Sequence, residues 1–229
     1  MIKVEIQGLQ ATMARLGNQA KQVRYATAVA LTRTARKVAD AMPAAMERDL
    51  DRPTPFTKRG LFVQYATKAN LTAVVGFKDR QAGYMKYQIT GGTRQPTARG
   101  IKLPGNIELN SFGNIPKGMI DKLKKAAQDG SLSKTLTRRL GVGDRRKGAA
   151  PIQLFYGKPV GRGWEKAPMG IWRRIPGKPG KLVPVVVFED TPAKYRKRFD
   201  FHKEAGRVVG REWARQFSAA FADAMRTAR

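Results

Sequence analysis

Three features of the chain point to an α+β fold: a long N-terminal helix and a long C-terminal amphipathic helix packed on a small antiparallel β-sheet, with extended basic loops. The first is a helical seam, in which Leu9, Met13, Leu16, Ala20, Val23, Thr27, Ala30 and Thr34 step alternately by four and three. The second is a set of β-rich runs bounded by Gly, Pro and Asn at 61–67, 71–78, 170–175 and 182–188. The third is a last segment whose apolar residues recur at every fourth position from Phe201 to Met225.

Taken in chain order, Ile2, Val4 and Ile6 alternate and predict a short strand over 2–6, closed by Gly8. The seam then predicts a helix from Leu9, widened by Leu31, Val38 and Met42 into a core-facing stripe. Strong apolar residues thin out along it, so it reads as a core helix rather than a coiled coil. Its Ala- and Thr-lined second half lets another backbone come close. Pro43 is expected to kink or stop this helix, and Pro53 and Pro55 to end it.

Lys68-Ala69-Asn70 separates two β runs and predicts a hairpin. Tyr84 to Ile89 predicts a turn of helix that stops at Gly91-Gly92, and 93–118 reads mostly as loop. Basic helices follow over about 116–128 and 131–140, then a flexible basic linker at 141–150. Ile152, Leu154 and Tyr156 alternate as a strand, and 170–175 and 182–188 form a second hairpin. Its Gly177-Lys178 turn lacks the spacing of a phosphate loop. The organisation expected is one α+β domain over 1–229 with a loop-rich basic insertion at about 93–165.

The last segment carries Phe201, Ala205, Val209, Trp213, Phe217, Phe221 and Met225 at a constant spacing of four. Each such step advances about 40° around a helix, so the stripe winds instead of holding one face. Its two ends should therefore bury against different surfaces. An assembled neighbour would supply the second surface, and so would a helix curling over its own domain.

The chain has 229 residues and is 41% hydrophobic, enough for a buried core, and 8% aromatic, which argues against disorder. Charge is the exceptional property: 45 Lys+Arg against 17 Asp+Glu gives +28 and a pI near 11.0. Such a surplus opposes compaction until a polyanion or an acidic surface neutralises it. Cysteine is absent, which removes disulfides and thiolate chemistry. The start "MIKVEIQGLQ" has no uninterrupted apolar stretch of signal-peptide type, and no window approaches a membrane span.

Enzyme chemistry finds little footing. His202 is the single histidine, which rules out His-rich metal sites and leaves a histidine triad without its surroundings. The carboxylates sit beside basic residues, as caps and ion pairs do, and none pair in the manner of a hydrolase or metal-dependent nuclease. We expect no enzyme, no metal and no cofactor. Basic residues gather instead at Lys134, Arg138, Arg139, Arg145, Arg146 and Lys147, and again at Lys194, Arg196, Lys197 and Arg198. Tyr195 and Phe199 interleave the second cluster. They suit base stacking, and equally an anchor for the final helix. Without a zinc-finger or RNA-recognition signature, any nucleic-acid contact would be to phosphates and indifferent to sequence.

The order of these pieces resembles the tail-completion and head–tail connector proteins of tailed bacteriophages, nearest to the minor tail protein Z group. The residues carrying the likeness are Gly8-Leu9, Tyr87 to Thr93 with Gln95-Pro96, and Ile171 to Arg174 running through "VPVVVFEDTPAKYRKRF" into the last helix. The resemblance implies a virion protein, made in the host cytoplasm, that forms a ring of roughly six or twelve copies at the head-proximal end of the tail. Implied partners are portal or adaptor proteins and tail-tube or tail proteins, with non-specific contact to packaged DNA and no membrane. On that reading Tyr87, Gly91, Gly92, Thr93, Trp213, Phe217, Phe221 and Met225 are the subunit-contact candidates. The two basic clusters are the candidates for DNA or acidic partners. The reading from another class is a sequence-independent nucleic-acid-binding protein of ribosomal or nucleoid type. A nuclease or toxin is disfavoured by the missing catalytic groups.

Overall fold

The computed structural model describes residues 1–4, 20–98, 100–141, 152–175, 178 and 180–227. They form two compact units: Met1–Gly92 with Tyr195–Arg229 (unit 1), and Thr93–Lys194 (unit 2). The class is α+β, with two long helices and small antiparallel sheets, as the sequence led us to expect.

Unit 1 is built on α1 (Ala20–Asp49) and α6 (Phe201–Arg226). They run antiparallel: Ala26 and Ala30 near the start of α1 pack with Ala220 and Ala224 near the end of α6, and Arg48 reaches Glu204 at 3.6 Å. Alanine at all four positions is what lets the backbones approach there. Further along, Leu31, Val38, Met42 and Met46 join Phe201, Ala205 and Val208 in the main core. Fully burying each large apolar side chain contributes about 1.5–3 kcal/mol.

Beneath the helices lies a three-stranded antiparallel sheet of β1 (Ile2–Val4), β3 (Ala73–Phe77) and β2 (Leu61–Gln64), with β3 in the centre and wholly buried. The expected hairpin is the β2–β3 pair, in register from Leu61↔Phe77 to Gln64↔Val74. Thr67 and Asn70 close its turn with reciprocal bonds of 2.8 and 2.9 Å. Two short helical elements complete unit 1, α2 (Pro55–Lys58) and α3 (Asp79–Thr90).

Of the two outcomes expected at Pro43, a kink or a stop, the stop does not occur. Helix α1 continues through the proline to Asp49, seven residues beyond Met42. An interior proline costs about 3 kcal/mol. Here the turns on either side bury Met42, Ala45 and Met46 at 0–2% exposure, which offsets that cost. The helix stops at Asp49, three residues before Arg52 takes φ 45° ahead of Pro53. The seam residues Leu9, Met13 and Leu16 lie outside the described residues.

Unit 2 has its own core. Its sheet runs β5-β8-β7-β6, all antiparallel, from β5 (Ile101–Pro104), β6 (Leu154–Gly157), β7 (Met169–Arg174) and β8 (Leu182–Glu189). Helix α4 (Met119–Asp129) lays Met119, Leu123 and Ala126 on that sheet, and α5 (Lys134–Arg139) adds Leu136. Strand β8 is central yet contains Pro184, which has no N–H to give. The register steps from Ile171↔Val186 to Trp172↔Pro184, so Val185 is the extra residue of a bulge beside the proline. The segment read as loop after Thr93 holds β5, which pairs with β8 from Ile101↔Glu189 to Pro104↔Val186. Strand β5 stands where loop was expected, and the compact unit that holds it runs from Thr93 to Lys194. A separate two-stranded sheet pairs β4 (Gly92–Arg94) with β9 (Ala193–Tyr195).

Candidate interaction surfaces

The Gly-Gly turn holds a return segment of the chain. Helix α3 ends at Gly91, whose N–H donates to the Tyr87 carbonyl at 3.1 Å. Gly91 has φ 72°, and a Cβ there would stand 3.0 Å from the Tyr195 carbonyl oxygen and 3.3 Å from the Lys197 nitrogen. Any side chain would therefore push the 195–197 backbone away. Next to it, the Tyr87 ring lies on Tyr195 with centroids 5.4 Å apart, and the Gln88 carbonyl accepts from both Arg198 N–H (2.8 Å) and Phe199 N–H (3.0 Å). Phe199 is fully buried, and Asp200 then caps α6 by accepting from Lys203 N–H at 3.1 Å. Of the contact candidates here, Tyr87 and Gly91 are engaged inside unit 1. Gly92 and Thr93 are exposed, with nothing within 4 Å of a Cβ at Gly92.

Burial along α6 winds as the spacing requires. Phe201, Ala205 and Val208 are buried at its start and Ala220 and Ala224 at its end. The second surface comes from within unit 1, from Ala26 and Ala30 of α1. Trp213, Phe217 and Phe221 form a half-buried aromatic row on the same helix. Trp213 and Phe217 are 5.6 Å apart and Phe217 and Phe221 are stacked at 6.1 Å. Met225, past the row, is 37% exposed. Between the two buried ends lies Glu212, covered by the Arg211, Arg215 and Gln216 side chains that hydrogen-bond to it. Those bonds, Arg215 first, hold its carboxyl below the usual carboxylate range.

The basic clusters divide by role. Lys134 and Arg138 are exposed one turn apart on α5. Arg139 is half-buried, and the backbone N–H of Glu108 donates to its carbonyl at 2.7 Å. Arg145, Arg146 and Lys147 lie outside the described residues. In the second cluster Lys197 donates to Asp200 at 2.7 Å, while Lys194, Arg196 and Arg198 are exposed without a salt-bridge partner among the described residues.

Sequence reading missed a cavity of about 590 Å³ within unit 2. There Lys102, Phe188 and Met169 lie side by side across β5, β8 and β7, and α4 flanks them with Ile120 and Lys124. The Lys124 ammonium sits 4.5 Å over the Tyr156 ring and 5.3 Å over that of Phe188. Only the strand register brings these residues together, and β5 was read as loop.

No protein-family model, curated protein or solved structure matches the chain. Among the described residues no cluster of His, Cys, Asp and Glu could hold a metal ion. None of their helices is long and apolar enough to cross a membrane.

Proposed function

We propose that the chain is a structural virion protein of a tailed phage, forming or completing a ring at the head-proximal end of the tail and joining it to the head. One observation carries the reading. Two of the stretches on which the phage resemblance rests, Tyr87 to Thr93 and the segment leading into the last helix, are joined to each other. The Gln88 carbonyl accepts from Arg198 and Phe199 N–H, the Tyr87 and Tyr195 rings are in contact, and Gly91 passes close along the 195–197 backbone. A turn that fixes where the last helix starts also fixes how that helix is offered to a neighbour. The ring contact would use the uncovered outer side of the Trp213–Phe221 row and Met225 in unit 1, and the exposed Gly92-Thr93 pair where the chain passes into unit 2. Portal or adaptor and tail proteins are its other partners, met through cationic surface suited to acidic faces and to the phosphates of packaged DNA.

Native mass spectrometry of the purified protein tests the ring. Closed oligomers are expected, weakened by Phe221→Ala combined with Met225→Ala while the monomer keeps its melting temperature within a few degrees. Variants that only unfold the monomer, or a wild type that stays monomeric at every concentration, count against it.

A second reading, a nucleic-acid-binding protein of ribosomal or nucleoid type, is favoured by the exposed cations of unit 2 that lack carboxylate partners among the described residues. It requires tight binding that falls by about 0.9 log unit per contacted phosphate for each log unit of salt.

A further inference from the structure

A cavity of about 610 Å³ in unit 1 is lined by none of the residues selected from sequence. Its lining includes Phe56, Arg59, Lys78, Asp79, Arg80 and Gln81, from α2, from the start of α3 and from the backbone beside them. The size is that of a small-ligand site, typically about 300–1,000 Å³.

The frame is firmly built. Thr54 caps α2 by accepting from Thr57 N–H at 3.2 Å, and the Thr57 hydroxyl meets the Tyr84 hydroxyl of α3 at 2.9 Å. Gln81, 5% exposed, donates its side-chain N–H to the Phe56 carbonyl at 3.1 Å. That bond needs Gly60, since a Cβ there would lie 2.2 Å from Gln81 Cγ. Lys78 N–H donates to the Gly60 carbonyl at 2.8 Å and joins the second wall to the first.

This frame presents an apolar ring among cations. Phe56 is 54% exposed. Arg59, Lys78 and Arg80 are exposed around it, and none has a carboxylate within salt-bridge distance among the described residues. Asp79 is the single carboxylate of the lining, so three cations face one anion. An exposed ring and gathered cations together suit a flat apolar face bearing phosphates. Duplex DNA brings phosphates but keeps its base faces stacked, and an acidic peptide brings carboxylates without such a face at every unit.

We infer that this cleft binds an unpaired nucleotide of a nucleic-acid strand, with the base on Phe56 and its phosphates on Arg59, Lys78 and Arg80. The inference stands apart from the virion reading and would survive its failure.

The test is fluorescence anisotropy of the full chain with a labelled oligothymidylate and with a duplex of equal length. Phe56→Ala should weaken the single strand about tenfold and the duplex by less than about twofold, while Phe56→Tyr, which keeps the ring, should bind like wild type. Replacing Arg59, Lys78 and Arg80 together by Ala should make the single-strand salt slope shallower by about 2, from about 0.7 per phosphate. These side chains are exposed, so thermal melts should be unchanged. Single-strand affinity insensitive to both Phe56→Ala and the triple variant overturns the inference, as does a loss on Phe56→Ala that is equal for duplex and single strand. Two competitors complete it. Polyglutamate displacing the strand in a Phe56-dependent way would assign the cleft to acidic peptide, and thymidine monophosphate competing as well as the strand would assign it to free nucleotides. Either result overturns a strand site.

Discussion

Unit 1 carries 24 Lys+Arg against 10 Asp+Glu and unit 2 carries 21 against 7, an excess of 14 positive charges in each. In unit 1 the carboxylates are put to use. Glu204 holds Arg207 and Arg48, Glu212 holds Arg211 and Arg215, and Asp223 pairs with Arg226 and with Arg33 at 3.7 Å. Among the described residues of unit 2 the only ion pair is Arg139–Glu108, at 4.0 Å. On α6 a spacing of three, and between α6 and α1 their antiparallel approach, set acids beside cations. In unit 2, Asp121 and Asp129 on α4 and Glu189 at the end of β8 form no ion pair among the described residues. Exposed pairs are each worth only about 0–1 kcal/mol, so the contrast is less about stability than about which surface still seeks anions. Unit 2 is left to find them outside itself, and unit 1 keeps exposed cations without ion pairs among the described residues at the Phe56 cleft and at Arg196 and Arg198.

This comparison can be broken unit by unit with hydrogen exchange read by mass spectrometry. The largest effect expected is for Phe201→Ala, buried at 0% against Phe77: a loss of about 3–5 kcal/mol in unit 1 protection. Ile171→Ala, equally buried in the other core, should cost about 2–5 kcal/mol in unit 2. Each loss should stay mainly in its own unit. Losses spread evenly over both would mean a single cooperative body. Ala30→Leu should cost about 1–3 kcal/mol by forcing α1 and α6 apart where Ala220 and Ala224 pack.

Smaller effects sharpen the electrostatic half. The Arg207 hydrogen bond, aided by the charges of Arg207 and Arg48 and opposed by burial, holds the Glu204 carboxyl below its ordinary value of 4.5. A depressed acid contributes stability in full above that value and loses it as pH falls through the lower folded-state value. Acid titration of unit 1 should therefore show a destabilisation below pH 4.5 that is shallower in Glu204→Gln. Least of all, raising salt should stabilise unit 2 relative to unit 1, because screening removes repulsion in one and weakens pairs in the other. Equal responses would contradict the contrast.

Much of this was legible beforehand, for reasons that differ along the chain. The hairpin at 61–78 was readable because its turn chemistry and both β runs are local. The winding of α6 was readable because a spacing of four has one geometric meaning. That the helix runs on past Pro43 was not legible, because local backbone cost is visible in sequence whereas the burial of Met42 and Met46 that outweighs it is not. Strand β5 stayed hidden because "IKLP" has little β character alone and is made a strand by pairing with β8. For the same reason the Lys102–Phe188–Met169 row could not be assembled. Of the interface candidates, Gly91 carried a true signal of constraint, and the constraint is the close approach of Tyr195 and Lys197. The Phe56 cleft left only a trace, an exposed-looking "PFTKRG" between a helix and a strand whose partner "KDR" lies about twenty residues on.

The central claim is that this is a particle protein, and quantitative mass spectrometry of density-banded phage from the source strain tests it most directly. The account predicts the chain in particles at about half of, or equal to, the portal protein's copy number, the ratio for a closed ring of about six or twelve subunits. Its absence from particles, with the protein recovered from lysate on nucleic acid, would contradict the account and make the unpaired cations themselves the function.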